Sequence, residues 1–537
     1  MAQTEHGLIL FEDAHLVVVN KPAGVNTHVP GPYAGEGVFD WLRHREPRWA
    51  SLAIIHRLDK ETSGVMAFSK TALANHSLTG QFTGRQVDKK YLLLTDRPVK
   101  QSELIAKSAL VRTGAKYVSR PAHAGGQMAE TRFRIVNSST GITLVEARPR
   151  TGRTHQIRVH AADHGFPILG DTLYGGSPAS RLCLHSAELT IAHPATGKPT
   201  TFTAPVNFDA CTPFALRSAF IDSRETNACR FSHGAADGFP GWYVDRLGDY
   251  LLSQSEKPLT APREKVLSNW LAEFSLRGAY HKILQRQIHA CAANAASPQL
   301  VLGEPAPERF VISENSLKFE LSFTEGCSVG LFLDQRDNRR RLLTGHVAAG
   351  FPLRESRIAD RQSPMEILNT FAYTCGFSVA AAKAGARVTS LDLSKKYLAW
   401  GERNFLLNDL NPEQHDFIYG DVFEWLRRLA RKHRCFDIVV LDPPTFSRSK
   451  AGRTFQVEKN YGELVAAALP LLKPEGILFA STNSAKIEPE MFLKILERSI
   501  GSSGRRILRQ HYAPQPPDFP VCREEPAYLK TVWFKLS

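Results

Sequence analysis

No stretch of 18 apolar residues occurs in this sequence, so no segment is expected to cross a membrane as a helix. The opening residues, Met1 to Gly7, are polar and lack the apolar core of a secretory signal. Cysteine is sparse, with eight residues at positions 183, 211, 229, 291, 327, 375, 435 and 522. None stands in a Cys-x-x-Cys pair or beside histidine at zinc-ligand spacing, so neither a metal site nor a disulfide framework is expected. Reduced thiols in a cytoplasmic protein are the corresponding expectation. Acidic residues are in deficit: 53 Asp and Glu stand against 67 Lys and Arg, for a formal net charge of +14 and a pI near 9.4. That excess favours a polyanionic partner, although charge alone does not separate RNA from DNA or an acidic membrane. Internal repeats and low-complexity tracts are absent too, which leaves ordinary globular domains.

A chain of 537 residues is too long for one core and suggests three or four domains. Residues 1–208 carry short strand-like runs separated by Gly/Pro turns, at 8–12, 16–19, 91–95, 131–136 and 143–148. Helical stretches lie between them, a pattern that predicts a mixed, mainly antiparallel α+β sheet. The most informative stretch is His56-Arg57-Leu58-Asp59-Lys60-Glu61-Thr62-Ser63-Gly64. It follows the apolar run 52–55, which reads as a short buried strand, and Lys60 to Gly64 reads as the turn after it. Asp59 then has a cation on each side, at Arg57 and Lys60. Such neighbours keep a carboxylate ionised, and an ionised carboxylate can act as nucleophile or base. The bland reading is a salt-bridged loop aspartate.

The context argues for the sharper reading. The loop resembles the catalytic loop of the RluA-type pseudouridine synthases, His-Arg-Leu-Asp-x-x-Thr-Ser-Gly. Further stretches match in order: Asn20-Lys21-Pro22-Ala23-Gly24-Val25, Lys89-Lys90-Tyr91, Thr151-Gly152-Arg153-Thr154-His155-Gln156-Ile157-Arg158-Val159-His160, and Gly170-Asp171-Thr172-Leu173-Tyr174-Gly175. The resemblance implies isomerisation of uridine to pseudouridine in RNA, with no cofactor and no metal. It makes Asp59 the catalytic carboxylate, Arg158 the arginine that pairs with it, and Tyr91 the aromatic that packs on the target base. It makes Arg57 a loop residue that helps extrude the nucleotide. Base extrusion costs a few kcal/mol, and an aromatic platform returns about 1–3 kcal/mol of stacking. The first motif lies close to the start of this sequence, so the family's small N-terminal RNA-binding domain is expected to be missing.

A junction is expected at 209–222. The segment Ala236-Asp237-Gly238-Phe239-Pro240-Gly241-Trp242-Tyr243-Val244-Asp245-Arg246 resembles the small α/β domain ahead of certain ribosomal RNA methyltransferases, placed at 223–325 as an RNA-binding or accessory domain. From 326 to 537 strand and helix alternate, which predicts a parallel, doubly wound α/β (Rossmann-like) sheet. Strands are expected at 366–372, 387–391, 416–419, 436–441 and 476–480, with helices at 378–384, after Ser394 to Leu407, at 422–432 and at 461–472. Stretches 506–512 and 528–536 read as a closing antiparallel pair. Ligands in such sheets bind at the carboxyl ends of the strands, where Asp392, Asp421 and Asp442 stand. One strand-end aspartate is commonly a helix cap, but three on successive strands are harder to explain that way. No Gly-x-Gly-x-x-Gly accompanies them, which weakens a dinucleotide reading.

The loop Asn369-Thr370-Phe371-Ala372-Tyr373-Thr374-Cys375-Gly376-Phe377 instead resembles the S-adenosylmethionine loop of Rlm-type ribosomal RNA methyltransferases, with Cys375 in place of the usual Gly. Gly330-Leu331-Phe332-Leu333-Asp334-Gln335-Arg336 and Asp442-Pro443-Pro444-Thr445-Phe446-Ser447 match as well. The resemblance implies that Asp392 holds the cofactor ribose and Asp421 the adenine amino group. Arg336, Tyr373, Thr374 and Gly376 border the cofactor, and Asp442 lines the cleft between methyl donor and target base. Carbon-5 of cytosine needs a cysteine thiolate added at C6 first. The place where relatives carry that cysteine reads Ser481-Thr482-Asn483-Ser484 here. Guanine N7 has a lone pair and needs only positioning, so guanine N7 of 23S, large-subunit, ribosomal RNA is the favoured target. The tail residues Pro516-Pro517-Asp518-Phe519-Pro520 and Tyr528-Leu529-Lys530 resemble the cytosine members, which keeps 5-methylcytosine open. A third possibility is that one half is inactive and serves as an RNA-binding platform. Protein or a small molecule as methyl acceptor is disfavoured by the basic charge and the attached synthase.

Overall fold

The computed structural model describes residues 7–121, 123, 125–139, 141–209, 213–284, 297–325, 328–354, 363–448 and 454–537. It divides into two compact units. The first comprises residues 1–30, 36–43 and 51–222, and the second residues 31–35, 44–50 and 223–537.

The first unit is built on one 11-stranded sheet. Its main path runs Ile9–Glu12, Leu16–Lys21, Ser63–Ser69, Leu184–Ala192, Asp88–Thr95, Ile142–Pro149, Gln127–Ser139, Glu103–Thr113 and Lys116–Arg120. Pairing is antiparallel except between Ser63–Ser69 and Leu184–Ala192, which run parallel. In Gln127–Ser139 the alternation is plain: Ala129, Thr131 and Phe133 are buried while Glu130, Arg132 and Arg134 face outward, as a strand with one covered face requires. Two helices cover two parts of the sheet. Ala72–Thr83 packs Ala74 and Leu78 on Leu16, Val18, Val65 and Leu189. Gln156–Asp163 packs Ile157 and Ala161 on Leu93, Phe133 and Val145.

One local expectation needs correction. The run 52–55 forms only the two-residue strand Ala53–Ile54, half-buried because it pairs on one side alone, with Ser63–Ser69. Asp59 therefore sits in an irregular loop. The expected junction carries the short helix Pro213–Arg217 and a 3-10 turn at Ser218–Phe220, in which Phe214 and Phe220 are buried.

In the second unit, a five-stranded mixed sheet runs Ala228–His233, Trp242–Leu247, Tyr250–Ser255, Gly278–Ile283 and Gln299–Gly303. A hairpin, Phe310–Glu314 with Leu317–Leu321, follows it. Then comes a seven-stranded sheet in the order Asp416–Tyr419, Arg387–Asp392, Glu366–Thr370, Phe436–Leu441, Leu472–Thr482, Lys530–Leu536, Ile507–Ala513. The first five strands are parallel and the last two antiparallel. Central strands are apolar on both faces, as in Ile438–Leu441, because helices cover both sides of a parallel sheet. The helix expected at 461–472 is Val457–Ala468; Pro470 lacks the N–H needed to continue it, and the chain makes a 3-10 turn at Leu469–Leu471 before the next strand opens at Leu472. No helix among the described residues is long and apolar enough to cross a membrane.

Candidate active sites

The first unit holds a cleft of about 780 Å³ whose walls include Arg57, Asp59, Lys89, Tyr91, His155 and Arg158. Three elements supply them: the irregular loop before Ser63, the strand Asp88–Thr95, and the turn leading into the helix Gln156–Asp163. Arg57 is exposed at the cleft and Asp59 is half-buried. The expected pair between Arg158 and Asp59 is a long one, and the short bonds of the guanidinium go elsewhere. Arg158 gives Nε and Nη2 to Asp171 at 2.7 Å each, a buried bidentate bridge. Its remaining nitrogen, Nη1, lies 3.9 Å from Asp59. The guanidinium fork matches one carboxylate at a time, and Asp171, almost fully buried, takes it. Arg158 therefore faces Asp59 as a fixed charge held from behind.

His155 contributes a second group. Its Nε2 is 3.9 Å from Asp59. The backbone N–H of Tyr117 donates to the Tyr174 hydroxyl at 2.9 Å, and that hydroxyl lies 2.8 Å from His155 Nδ1. With the phenol donating to Nδ1, the ring proton sits on Nε2, toward Asp59. Burial lowers the His155 pKa, which favours this neutral form. Tyr91 meets Ser186 through its hydroxyl, and burial pushes its pKa up to about 12, so it stays a neutral ring available for stacking. His56 accepts from Ala67 N–H at 3.1 Å and stacks on Phe82 at 4.7 Å; burial holds its pKa at about 3, so it fixes the start of the loop as a neutral ring.

Lys21 is the anchor behind the loop. It is fully buried, and Nζ donates to the carbonyls of Pro22, Val25 and Lys60 at 2.8, 2.7 and 3.0 Å. The last of these belongs to the residue next to Asp59. Desolvation lowers the Lys21 pKa to about 7. Because the fold weakens proton binding here, this group's contribution to stability improves as pH rises from about 7 toward the unfolded value of 10.5. Lys21→Met is expected to strand the three carbonyls, at a cost of about 1–3 kcal/mol each where they stay dry, and to remove that pH slope. Denaturant unfolding at pH 7 and pH 9 checks both.

In the second unit Asp392, Asp421 and Asp442 stand at the carboxyl ends of their strands, as the alternation predicts. Asp392 accepts the backbone N–H groups of Tyr373 and Ser394 at 2.9 and 2.8 Å, one on each oxygen. Burial raises its pKa and those hydrogen bonds oppose the rise. Leu393 N–H also faces the carboxylate, and the acceptor capacity that remains fits a ribose hydroxyl. Asp421 caps the helix Val422–Arg431 through Glu424 N–H at 3.1 Å, so it serves the bland role as well. Asp442 accepts from Ser481 Oγ at 2.6 Å and Gln335 Nε2 at 3.2 Å. Burial pushes its pKa up to about 6.

The loop between the first strand and helix is conformationally demanding. Phe371, Tyr373 and Cys375 all have positive φ, at 55°, 50° and 65°. Buried Thr374 Oγ1 ties the loop to Gly330 O, and Gly376 packs where a Cβ would meet Leu331 at 2.9 Å. These two residues shape the loop from inside. The guanidinium of Arg336, expected to border the cofactor, is buried in a bidentate bridge to Asp518, so it offers no unengaged charge to a ligand. Cys375 replaces glycine in a left-handed position, and its thiol is buried with a pKa raised to about 12. Its bulk is accommodated by Gly401, where a Cβ would lie 2.3 Å from the sulfur. Gly401→Ala is expected to destabilise the protein by about 1–3 kcal/mol through overpacking, and Cys375→Gly in the same chain to relieve it; thermal unfolding of both variants checks this.

Of the residues expected from the sequence, Asp59, Arg57, Tyr91 and Arg158 line one cleft, and the three aspartates stand at the carboxyl ends of strands in one sheet; the sequence reading stopped there. It gave no role to Asp171, Tyr174, His155 or Lys21, although all four lie inside the quoted motifs.

One carboxylate-centred cleft in a mainly antiparallel sheet, and one row of strand-end aspartates in a doubly wound parallel sheet, define a chain with two catalytic units of different chemistry. Residues 15–163 match the RNA pseudouridylate synthase family, and residues 266–535 match the S-adenosylmethionine-dependent methyltransferase family. Among curated relatives, a ribosomal RNA large subunit methyltransferase of Deinococcus radiodurans is 34% identical over 330 residues, 60% of this chain and 75% of that protein. Ribosomal large subunit pseudouridine synthase D of Xylella fastidiosa is 36% identical over 223 residues, 38% of this chain and 67% of that one. A methyltransferase solved in complex with SAH is 29% identical, covers 63% of this chain and 85% of its own, and superposes with a TM-score of 0.51. The chain belongs to both families: it joins a pseudouridine synthase to an S-adenosylmethionine-dependent methyltransferase.

Proposed function

We propose that both units modify large-subunit ribosomal RNA, the first converting a uridine to pseudouridine without a cofactor and the second methylating a base, with guanine N7 favoured. The observation that carries the first half is Asp59 facing a roomy basic cleft, between Arg158, locked by Asp171, and His155, oriented by Tyr174. Asp59 acts as the catalytic carboxylate. Arg158 faces it with a fixed positive charge, Tyr91 stacks on the extruded base, and exposed Arg57 follows the displaced strand.

In the second unit Asp392 is the residue for the cofactor ribose and Asp421 for the adenine amino group. Tyr373, Thr374 and Gly376 form the loop around the cofactor, and Arg336 supports it through Asp518. When bound, S-adenosylmethionine supplies an electrophilic methyl group. Asp442, held by Ser481 and Gln335, positions the acceptor base beside it. The strand end beside Asp442 reads Ser481-Thr482-Asn483-Ser484, without a cysteine, and the Cys375 thiol of the cofactor loop is buried and raised to about 12, which supports a nitrogen target. The cytosine reading draws on the tail: Asp518 and Tyr528 are built into the site, on Arg336 and Asp334.

The domain arrangement that goes with this reading is a synthase over 1–208, a linker at 209–222, a small RNA-binding domain over 223–325 and the methyltransferase over 326–537, in a cytoplasmic protein with RNA as partner. The two units on one chain raise each other's effective concentration near a shared RNA. Methylated nucleosides from RNA treated with the full-length protein separate the targets: 7-methylguanosine supports the favoured reading, and 5-methylcytosine replaces it.

A further inference from the structure

A second cavity, of about 370 Å³, lies in the methyltransferase unit, within the size range of small-ligand sites. Its walls come from three places: Arg230, His233 and Tyr243 from the small mixed sheet, Glu488 from beyond the strand that ends at Thr482, and Glu524 and Tyr528 from the tail. It therefore opens beyond the carboxyl end of the strand next to the one carrying Asp442, the side on which the acceptor must approach. The pocket is firmly built. Glu525 accepts from Ala235 N–H, Gly241 N–H and the Tyr243 hydroxyl at 3.0, 3.3 and 3.2 Å. Its carboxylate fills the space where a Cβ on Gly234 would stand, so residue 234 must be glycine for the tail to seat there. Tyr528 donates to Asp334 at 2.9 Å, and His233 stacks on Tyr528 with centroids 6.1 Å apart.

Acceptors outweigh donors in the hydrogen-bonding capacity left in this pocket. Both phenols donate to carboxylates, Tyr243 to Glu525 and Tyr528 to Asp334, and so keep oxygen lone pairs with which to accept. Arg230 directs three of its five donors to Asp245 and His233, Lys530 two of its three to the carbonyls of Ser484 and Tyr528, and Gln254 one of its two to Asp245. Glu488 and Glu524 add exposed carboxylates at the rim. An acceptor-rich, aromatic-walled pocket suits a flat ring bearing N–H donors better than it suits a phosphate. Asp442 and Pro443 are not among its walls, so its occupant is not the base being methylated.

We propose that this pocket holds an amino-bearing nucleobase flanking the methylated nucleotide, and so sets the sequence context of methyl transfer. The inference rests on the reading of the second unit as an RNA methyltransferase. The test uses the full-length protein and an RNA fragment that it methylates, with each flanking nucleotide made abasic in turn. For the wild type, one flanking position is expected to raise KM for RNA about ten-fold when abasic, the worth of one stacked base, with kcat unchanged. That RNA should cost Tyr243→Leu nothing further, and the milder surface variant Glu488→Gln should lose part of the preference. Affinity for S-adenosylhomocysteine should stay at the wild-type value in both. Uracil at that position, which stacks but has no amino group, should serve less well than an amino-bearing base. Additive losses in Tyr243→Leu, no sensitive flanking position, or equal use of uracil would each overturn the proposal. Failure of the wild type to methylate any RNA would contradict the underlying reading instead.

Discussion

Asp59→Asn is expected to lower pseudouridine formation by about 10³-fold, the scale on which a lost catalytic carboxylate is felt, while methyl transfer by the same chain continues at the wild-type rate. The exchange keeps shape and removes charge. Asp59 makes no close ion pair, since His155 and Arg158 both stand at 3.9 Å, so stability should change little. Tritium release from 5-tritiated uridine RNA measures the loss, and unfolding curves of variant and wild type verify the fold. Asp171→Asn is the informative companion. It loosens Arg158 without touching Asp59, and activity should fall less than in Asp59→Asn.

Asp442→Asn is expected to lower methyl transfer by about 10²-fold, comparable with removing one preorganised polar contact at a reacting centre. Asparagine still accepts from Ser481 and Gln335 but cannot carry the charge. With its pKa raised to about 6 by burial, Asp442 ionises late, so wild-type methyl transfer should climb with pH through about 6 and level off above it. The stability effect has the opposite sign. A folded-state value above the unfolded 3.8 means that the fold favours the protonated form, so this group's contribution falls as pH rises from 3.8 to about 6 and is constant beyond. Asp442→Asn should flatten both profiles. A methyl-transfer profile flat from pH 5 to 8 in the wild type would remove Asp442 from the reaction.

Local pattern made much of this legible. Asp59 lies in a contiguous motif, and Asp392, Asp421 and Asp442 are found by counting strands, because period and punctuation fix where a parallel strand ends. What stayed hidden was choice between partners. Nothing in the sequence tells Arg158 to hold Asp171 at 2.7 Å and Asp59 at 3.9 Å. The Arg336–Asp518 bridge joins residues 182 positions apart, and the accommodation of Cys375 by Gly401 is a steric fact visible only once helix and loop are packed. Lys21 reads as one more basic residue until its burial and its three carbonyl partners are seen. The helix misplaced at 461–472 is a different case, since Pro470 was there to be read.

The most direct test of the central claim, two live RNA-modifying sites on one chain, is nucleoside mass spectrometry of ribosomal RNA from cells lacking this protein, complemented with wild type, Asp59→Asn or Asp442→Asn. The account predicts that wild type restores one pseudouridine and one methylated base, Asp59→Asn only the methylated base, and Asp442→Asn only the pseudouridine. Restoration of both nucleosides by both variants, or of neither by wild type, would contradict it.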